Sequence, residues 1–209
     1  KKEDIIYIHY SGHGQQVPDL EKSKNKYLYK DEQDGWDEAL VTYNAPAKFE
    51  EQPGYNYEHH FIDDQFNYYV NRLREKTGKK GQIIVVLDAC HSGTGTRGSN
   101  DLGKARGTSI PCAPKGYIPK INDEASKNKY TENDFNYSPN LNLGALTVFS
   151  GCKADQVNRE CEDDNGTPYG SLSYYLVRAM SKLGDNASYR NLFDEINARM
   201  AIEFSNEQQ

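Results

Sequence analysis

Two short apolar runs, each ending abruptly in small residues, constrain the fold of this chain most. The first, Ile5–Tyr10, is followed by Ser-Gly-His-Gly, and the second, Ile83–Leu87, is followed by Asp-Ala-Cys-His-Ser-Gly. Runs of this kind are typical of buried strands in a parallel sheet, whose carboxyl edge carries the functional residues of open α/β folds. The sequence therefore predicts an α/β fold in which one strand end presents His13 and the other presents Cys90.

A helix connects these two strands in the predicted topology. From Ile62 apolar residues recur at helical spacing, and the pattern ends near Thr77 and Gly78. Such a strand–helix–strand unit is a right-handed crossover, which makes the two strands parallel neighbours. The His13 imidazole and the Cys90 thiol are then within reach of each other, as a thiolate nucleophile requires. We therefore predict Cys90 as the nucleophile and His13 as general acid and base.

Other interpretations of these side chains compete with this one. Cys90 could be a small buried cysteine at a strand end, with no catalytic role. Among the other histidines, His9 points into the sheet, His91 follows the cysteine directly and points elsewhere, and the His59–His60 pair lies in a polar region. These histidines are less well placed than His13 to reach a thiol at the sheet edge.

The rest of the chain completes a single domain spanning residues 1–209. A third strand is predicted at Ala145–Ser150, and two further helices at about Ser171–Leu183 and Ser188–Phe204. Residues 15–60 are polar, and we expect them to form a long excursion over the catalytic edge.

Composition excludes several classes of partner. The net charge is −6 with both signs interspersed, and no basic stripe suits a nucleic acid. No run approaches the roughly 18 apolar residues of a membrane span, so no membrane partner is expected. The four cysteines lack metal-binding C-x-x-C spacing and are too few for a disulfide framework. A thiol that must stay reduced favours a cytoplasmic location.

Five sequence blocks, in order along the chain, resemble those of the metacaspases and their bacterial caspase-like relatives. Two are the predicted catalytic blocks, His-Tyr-Ser-Gly-His-Gly at 9–14 and Asp-Ala-Cys-His-Ser-Gly at 88–93. The supporting blocks are Asp34–Glu38, Ile62–Asp64 and Phe149–Gln156. The resemblance implies a cysteine endopeptidase with a caspase-like three-layer α/β sandwich around a mostly parallel sheet. It also implies N-terminal strands beside the first strand, which we expect to be missing from this chain or contributed by another chain.

The resemblance assigns further roles around the two catalytic side chains. The backbone N–H groups of Gly14 and Cys90 would bind the oxyanion, and a glycine there lets the main chain approach the substrate closely. Asp88 and Ser11 would line the primary specificity pocket, which in metacaspases accepts Arg or Lys. Proteins or peptides with a basic residue at the cleavage site are therefore the expected partners. Asp88 could instead be a turn residue that caps nearby amides.

The loop after the third strand is expected to border the substrate cleft, because it leaves a parallel strand at the same edge. It carries Cys152 and Asp155, which we predict as substrate-binding residues, with Asp155 adding negative charge. As a cysteine at a strand end, Cys152 fits a packed side chain better than a second nucleophile.

Calcium is the cofactor that the resemblance suggests. Asp63 and Asp64 match an aspartate pair in the calcium site of calcium-activated metacaspases, and the nearby aspartates 31, 34 and 37 could add oxygen ligands. Acidic residues that open a helix also favour its dipole without any metal. An arginine stands at position 97, where the family has an aspartate, so we expect that no cofactor is required.

The long segment 94–144 has no sustained period, and we expect a functional loop or a processing linker there. A protease specific for basic residues would find cleavable bonds in this exposed segment, so we predict self-processing within it. The candidate residues are Arg97, Lys104, Arg106, Lys115, Lys120, Lys127 and Lys129.

A second class of function stays open beside the peptidase. A caspase-like module without catalysis could bind peptides or scaffold an assembly. The presence of both Cys90 and His13, each with a neighbouring glycine, favours the enzyme.

Overall fold

The computed structural model describes residues 1–19, 34–90, 104–108, 110–119, 142–152 and 157–204. Within these residues the chain forms eight strands and three α-helices. The strands are β1 (Ile5–Ser11), β2 (Gly14–Pro18), β3 (Trp36–Val41), β4 (His60–Ile62), β5 (Gln82–Asp88), β6 (Ala145–Ser150), β7 (Glu160–Glu162) and β8 (Pro168–Gly170). The helices are α1 (Asp63–Thr77), α2 (Ser171–Leu183) and α3 (Tyr189–Glu203).

The main sheet is parallel and has β5 at its centre. β5 pairs with β1 on one side and with β6 on the other. Ser11, the last residue of β1, lies opposite Asp88, the last residue of β5. The two strands that end in the predicted catalytic blocks are therefore parallel neighbours that finish at the same edge, as predicted.

Helices cover both faces of this sheet. Alternate residues of β5 point to opposite faces: Ile83 packs with Val70 of α1, whereas Val86 packs with Leu176 of α2 and Ile196 of α3. All five side chains are buried, and their burial stabilises the three layers. The predicted three-layer α/β sandwich is confirmed.

The helices begin and end close to their predicted limits. α1 opens with Asp63 and Asp64, which favour the positive end of its dipole, and it ends before Gly78, whose φ of 66° suits glycine. The Ser188 side chain accepts a hydrogen bond from the Asn191 N–H and caps α3 at its start. None of the helices in the described ranges combines the length and apolar character needed to span a membrane.

The prediction that residues 15–60 form a long excursion over the catalytic edge is wrong for the part of this region that the structure describes. β2, β3 and β4 form a second, antiparallel sheet in that order. Its strands are short and include buried polar side chains, so their hydrophobic pattern is weak. Gln15, for example, is only 1% exposed, and its side-chain amide donates hydrogen bonds to the carbonyls of Ala47 and Ile110.

One face of β1 is open in the described part of the chain. Side chains of β1 alternate between half-buried and exposed, and Ile5 and Tyr7 are 66% and 53% exposed. The expectation that further N-terminal strands lie beside β1 stays a prediction.

Candidate active site

The two catalytic blocks meet at the carboxyl edge of the main sheet. Beyond the last paired residues, the Gly12 N–H donates to the Asp88 carbonyl at 3.2 Å. Gly14 then passes so close to Cys90 that a Cβ on Gly14 would overlap the Cys90 carbonyl oxygen. This contact between two backbones requires glycine at position 14, and it brings the turn that carries His13 beside the cysteine.

Cys90 lies two residues beyond the end of β5 and is 3% exposed. Its Sγ accepts a hydrogen bond from the Asn158 N–H at 3.0 Å and lies 3.2 Å from the Asn158 carbonyl oxygen. A hydrogen bond from the Cys152 side chain lowers the pKa of Cys90 to about 7, against the opposing effect of burial. A thiol with this pKa is partly thiolate at neutral pH, which is the reactive form.

Cys152 therefore contacts the predicted nucleophile. Its half-buried thiol lies 3.8 Å from the Ala89 carbonyl oxygen, at the end of the strand next to β5. Its predicted role in substrate binding stays a prediction. Asp155, the other residue predicted in this loop, lies outside the described residues.

His13 occupies the turn between β1 and β2 and has an exposed side chain. Its carbonyl oxygen accepts hydrogen bonds from the Val41 N–H at 3.0 Å and from the Tyr10 hydroxyl at 2.8 Å. These two bonds fix the backbone of the turn and leave the imidazole accessible, as a group that exchanges protons with substrate and water must be.

Two of the competing histidines have structural roles. His60 is buried between the Tyr55 hydroxyl and the Gln15 amide, and burial lowers its pKa to about 4. His9 bonds to the Tyr7 hydroxyl and to Ser173 Oγ, with its pKa lowered by burial despite the nearby negative charge of Asp88. His91 lies outside the described residues.

Asp88 is fully buried at the amino end of α2. One carboxylate oxygen accepts from the Asn158 side-chain amide at 2.7 Å. The other accepts from the Ser173 N–H at 2.9 Å and from the Ser173 hydroxyl. The helix terminus and these donors stabilise a negative charge that would otherwise be costly to bury.

An arginine of the same chain fills the predicted specificity pocket. The Arg106 side chain, 9% exposed, donates from Nε to the Asp88 carbonyl at 3.0 Å and lies 3.4 Å from its carboxylate. Its Nη2 donates to Ser11 Oγ at 2.7 Å, and its Nη1 lies 3.4 Å from Glu160 Oε1. The structure thus brings Asp88 and Ser11 together around a guanidinium and adds Glu160, which motif reasoning did not find.

The backbone of Arg106 meets the predicted oxyanion donors. Its carbonyl oxygen accepts from the Cys90 N–H at 2.9 Å and from the Gly14 N–H at 3.1 Å. Two N–H groups from the ends of different strands therefore converge on one oxygen, which is the geometry that stabilises a tetrahedral oxyanion.

Asp63 and Asp64, the predicted calcium ligands, are the first two residues of α1. Burial raises the pKa of Glu38 to about 8, and the negative charges of Asp63 and Asp34 add to the effect. In the described part of the chain no three His, Cys, Asp or Glu side chains form a group that could hold a metal ion. Asp31 lies outside it. The expectation that no cofactor is required and the alternative of a calcium site both stay predictions.

Comparison with known proteins points to the same family as the sequence blocks. The chain matches the family described as the caspase domain over residues 1–209. It is 26% identical to Metacaspase-1 of Candida albicans, over 99% of this chain and 47% of that protein. It is 27% identical to Metacaspase-1A of Aspergillus oryzae, over 100% of this chain and 49% of that protein. The resemblance inferred from the five blocks is confirmed, and the family supports a cysteine peptidase.

A protein of known structure has a similar fold. A Geobacter sulfurreducens protein of known crystal structure is similar with a TM-score of 0.51 at 22% identity, covering 95% of this chain and 63% of that chain. The chain spans about half the length of the curated relatives it matches.

Proposed function

The chain belongs to the caspase-domain family, and on that premise we propose that it is a cysteine endopeptidase that hydrolyses peptide bonds after Arg or Lys. Cys90 is the nucleophile, and His13 is the general acid and base. The backbone N–H groups of Cys90 and Gly14 bind the oxyanion. Asp88, Ser11 and Glu160 select the basic side chain of the substrate.

The proposed specificity rests on one observation: the side chain of Arg106 already lies in the pocket. Two carboxylates and a hydroxyl surround the Arg106 guanidinium, which is nearly excluded from solvent. A substrate arginine in the same place gains charge-assisted hydrogen bonds. A substrate aspartate would lose its hydration and face the like charges of Asp88 and Glu160, which is strongly unfavourable.

Arginine should be preferred to lysine in this pocket. The three groups that surround the Arg106 guanidinium, Asp88, Ser11 and Glu160, contact three different nitrogens of its planar fork. A lysine ammonium is a compact charge on a flexible stem and cannot meet all of these acceptors at once. Lysine substrates are therefore expected to be cleaved, but more slowly.

The chemistry follows the positions of the catalytic groups. The Cys90 thiolate attacks the carbonyl carbon, and the two N–H groups stabilise the oxyanion as it develops. His13 donates a proton to the leaving amine and then takes a proton from the water that hydrolyses the thioester. Loss of one oxyanion donor typically lowers the rate by about 10²- to 10³-fold.

Covalent labelling tests this proposal. A peptide ketone with arginine at the cleavage position should alkylate Cys90, located by mass spectrometry, whereas the aspartate analogue should not. An Arg106→Gln variant, whose side chain lacks the charge that holds Arg106 in the pocket, should be labelled faster than the natural chain, and Cys90→Ala should not be labelled. Absence of Cys90 labelling in both the natural chain and the Arg106→Gln variant would favour a module that binds peptides without cleaving them.

A further inference from the structure

We infer that His9 is a positioning residue for the arginine preference: it acts on Asp88 through Ser173, and a positive charge on His9 weakens the attraction of the pocket for arginine. The inference rests on the proposed function and adds to it a residue that does not itself touch the substrate. A chain of hydrogen bonds from the open face of β1 to the buried carboxylate supports it.

Four side chains form this chain of hydrogen bonds. Tyr7 and His9 are two residues apart on β1, so they lie on the same face of the strand. The Tyr7 hydroxyl lies 3.0 Å from His9 Nδ1, and His9 Nε2 lies 2.8 Å from Ser173 Oγ. The Ser173 hydroxyl in turn donates to the Asp88 carboxylate. A continuous path therefore joins a tyrosine that is 53% exposed to a carboxylate that is fully buried.

The direction of each hydrogen bond follows from the chemistry of the carboxylate at the end. An ionised carboxylate has only acceptor oxygens, so the single proton of the Ser173 hydroxyl points to Asp88. The Ser173 oxygen then accepts from His9, which requires a proton on Nε2. Nδ1 of the neutral ring is left as an acceptor for the Tyr7 hydroxyl. Every donor in the chain points toward the negative charge, and bonds aligned in this way strengthen one another.

The other contacts of Asp88 match the ionised form that this assignment needs. The Asn158 side-chain amide donates to one carboxylate oxygen at 2.7 Å, and the Ser173 N–H donates to the other at 2.9 Å. The Arg106 guanidinium lies 3.4 Å from the same carboxylate. Hydrogen-bond donors and a positive charge therefore meet both oxygens, as a carboxylate requires.

His9 is neutral at neutral pH in this environment. Burial lowers its pKa below the ordinary value of 6.5, and the negative charge of Asp88 opposes this effect without cancelling it. Burial also raises the pKa of Tyr7, so the hydroxyl keeps the proton that it donates to His9. The directed chain is therefore the state of the protein at neutral pH, and it is lost when His9 gains a proton in acid.

Protonation of His9 would change both the chain and the charge near the pocket. Nδ1 would then carry a proton, so the Tyr7 hydroxyl must turn from donor to acceptor. The new positive charge is separated from Asp88 by a single hydroxyl and offsets part of its negative charge. A substrate guanidinium would meet weaker attraction from Asp88 and repulsion from His9, whereas an uncharged side chain would meet neither. The arginine preference should therefore fall in acid.

The ionisable groups around His9 agree with this sign. Tyr7 lies on the same strand, with the two rings 5.8 Å apart, and is neutral. The contact from α2 is an uncharged hydroxyl, and behind it lies Asp88 of β5. Arg106 bonds to Ser11, which follows on the same face of β1. Asp88 is the negative charge that a proton on His9 offsets, and an arginine in the pocket opposes that proton.

The pH dependence of specificity tests the inference. Every protein carries Arg106→Gln, so that the charged Arg106 side chain does not compete with the peptide. The measured quantity is the ratio of kcat/KM for arginine and norleucine peptides from pH 7.5 to pH 5, in which titration of Cys90 and His13 cancels because both peptides need them. The ratio should fall at least about threefold toward pH 5, since His9 gains its charge below pH 6.5.

Two replacements of His9 separate its charge from its hydrogen bond. His9→Gln can donate to Ser173 from a similar position but cannot gain a proton, so its ratio should match the unreplaced protein at pH 7.5 and fall by less than about 1.5-fold toward pH 5. His9→Leu also loses the donor, and its ratio should already be about threefold lower at pH 7.5. Thermal melts show whether each variant is folded.

His59 provides a matched control. It is a second imidazole of the described chain, it stacks on the Tyr55 ring, and it lies outside the path to Asp88. His59→Gln should therefore keep the full pH dependence of the ratio. Loss of that dependence in His59→Gln would contradict the role of His9.

The outcomes distinguish this inference from the proposed function. Strong preference for the arginine peptide, with the same pH dependence in His9→Gln as in the unreplaced protein or with none in either, would overturn the inference and leave the proposed function standing. Absence of hydrolysis of both peptides, with no labelling of Cys90 by the arginine ketone, would refute the proposed function itself.

Discussion

Replacement of Asp88 by asparagine tests the origin of the arginine preference. The change keeps the size of a fully buried side chain and removes its negative charge. The oxygen of the new side chain can still accept from Ser173, but its amide nitrogen cannot accept from Asn158 as the second carboxylate oxygen does. The perturbation therefore removes the charge that faces the substrate guanidinium and one internal hydrogen bond.

The expected loss can be estimated from the contacts of Arg106. A hydrogen bond to a charged group contributes about 1.5–3 kcal/mol, or about 10- to 150-fold in kcat/KM. Exclusion from solvent favours the upper end of this range, whereas the 3.4 Å separation of Arg106 Nε from the Asp88 carboxylate is longer than an ideal charge-assisted bond and favours the lower end. Glu160 also keeps part of the attraction. We expect a loss of about 30-fold for arginine substrates.

The assay compares two peptides that differ only at the cleavage position. Both proteins should carry Arg106→Gln so that the pocket is free, and kcat/KM is measured for fluorogenic arginine and norleucine peptides. Asp88→Asn should lower the arginine value about 30-fold and the norleucine value by less than about threefold, since norleucine carries no charge. Thermal melts show whether the variant is folded. Equal losses for the two peptides in a folded variant would refute the reasoning.

Three further predictions follow from the same contacts. Gly14→Ala should lower peptide hydrolysis at least about 100-fold, because the added Cβ overlaps the Cys90 carbonyl and moves an oxyanion donor; activity close to that of the natural chain would contradict this close approach. Cys152→Ala should raise the pKa of Cys90 above about 7, seen as a shift of the pH midpoint of iodoacetamide labelling to higher pH, and an unchanged midpoint would contradict the thiol–thiol hydrogen bond. His60 has a folded pKa of about 4 against 6.5 unperturbed, so its contribution to stability is complete above pH 6.5 and is lost as the pH falls toward 4. Up to about 3 kcal/mol of the free energy of unfolding should be lost in this window, and His60→Gln should show a smaller decline in urea melts at pH 7 and pH 4.5; the same decline in both proteins would refute it.

The main sheet could be predicted from the sequence because its strands are continuous apolar runs. β5 is buried over most of its length, so nearly every position had to be apolar, and the period of α1 showed how β5 connects to β1. The second sheet could not be predicted in this way. Its short strands bury amides such as Gln15, whose hydrogen bonds come from residues far along the chain and leave no local pattern.

The candidate site also combines residues that the sequence motifs predict with residues that they do not. Cys90, His13 and Asp88 lie in two short blocks whose spacing already suggests chemistry. Asn158 and Glu160 reach the same cleft from distant positions, and they join it through hydrogen bonds that no motif records. Arg106 was one of several basic residues in a long polar segment, and only its contacts in the folded chain distinguish it from the others.

The relative rates of hydrolysis of arginine and aspartate peptides test the central claim most directly. With Arg106→Gln to free the pocket, kcat/KM should be higher for the arginine peptide by several powers of ten, because attraction to Asp88 and repulsion of a substrate carboxylate act together. Replacing Cys90 by alanine in the same protein should abolish hydrolysis. Faster or equal cleavage of the aspartate peptide, or hydrolysis that persists without the Cys90 thiol, would contradict the assignment of this chain as an arginine-directed cysteine endopeptidase.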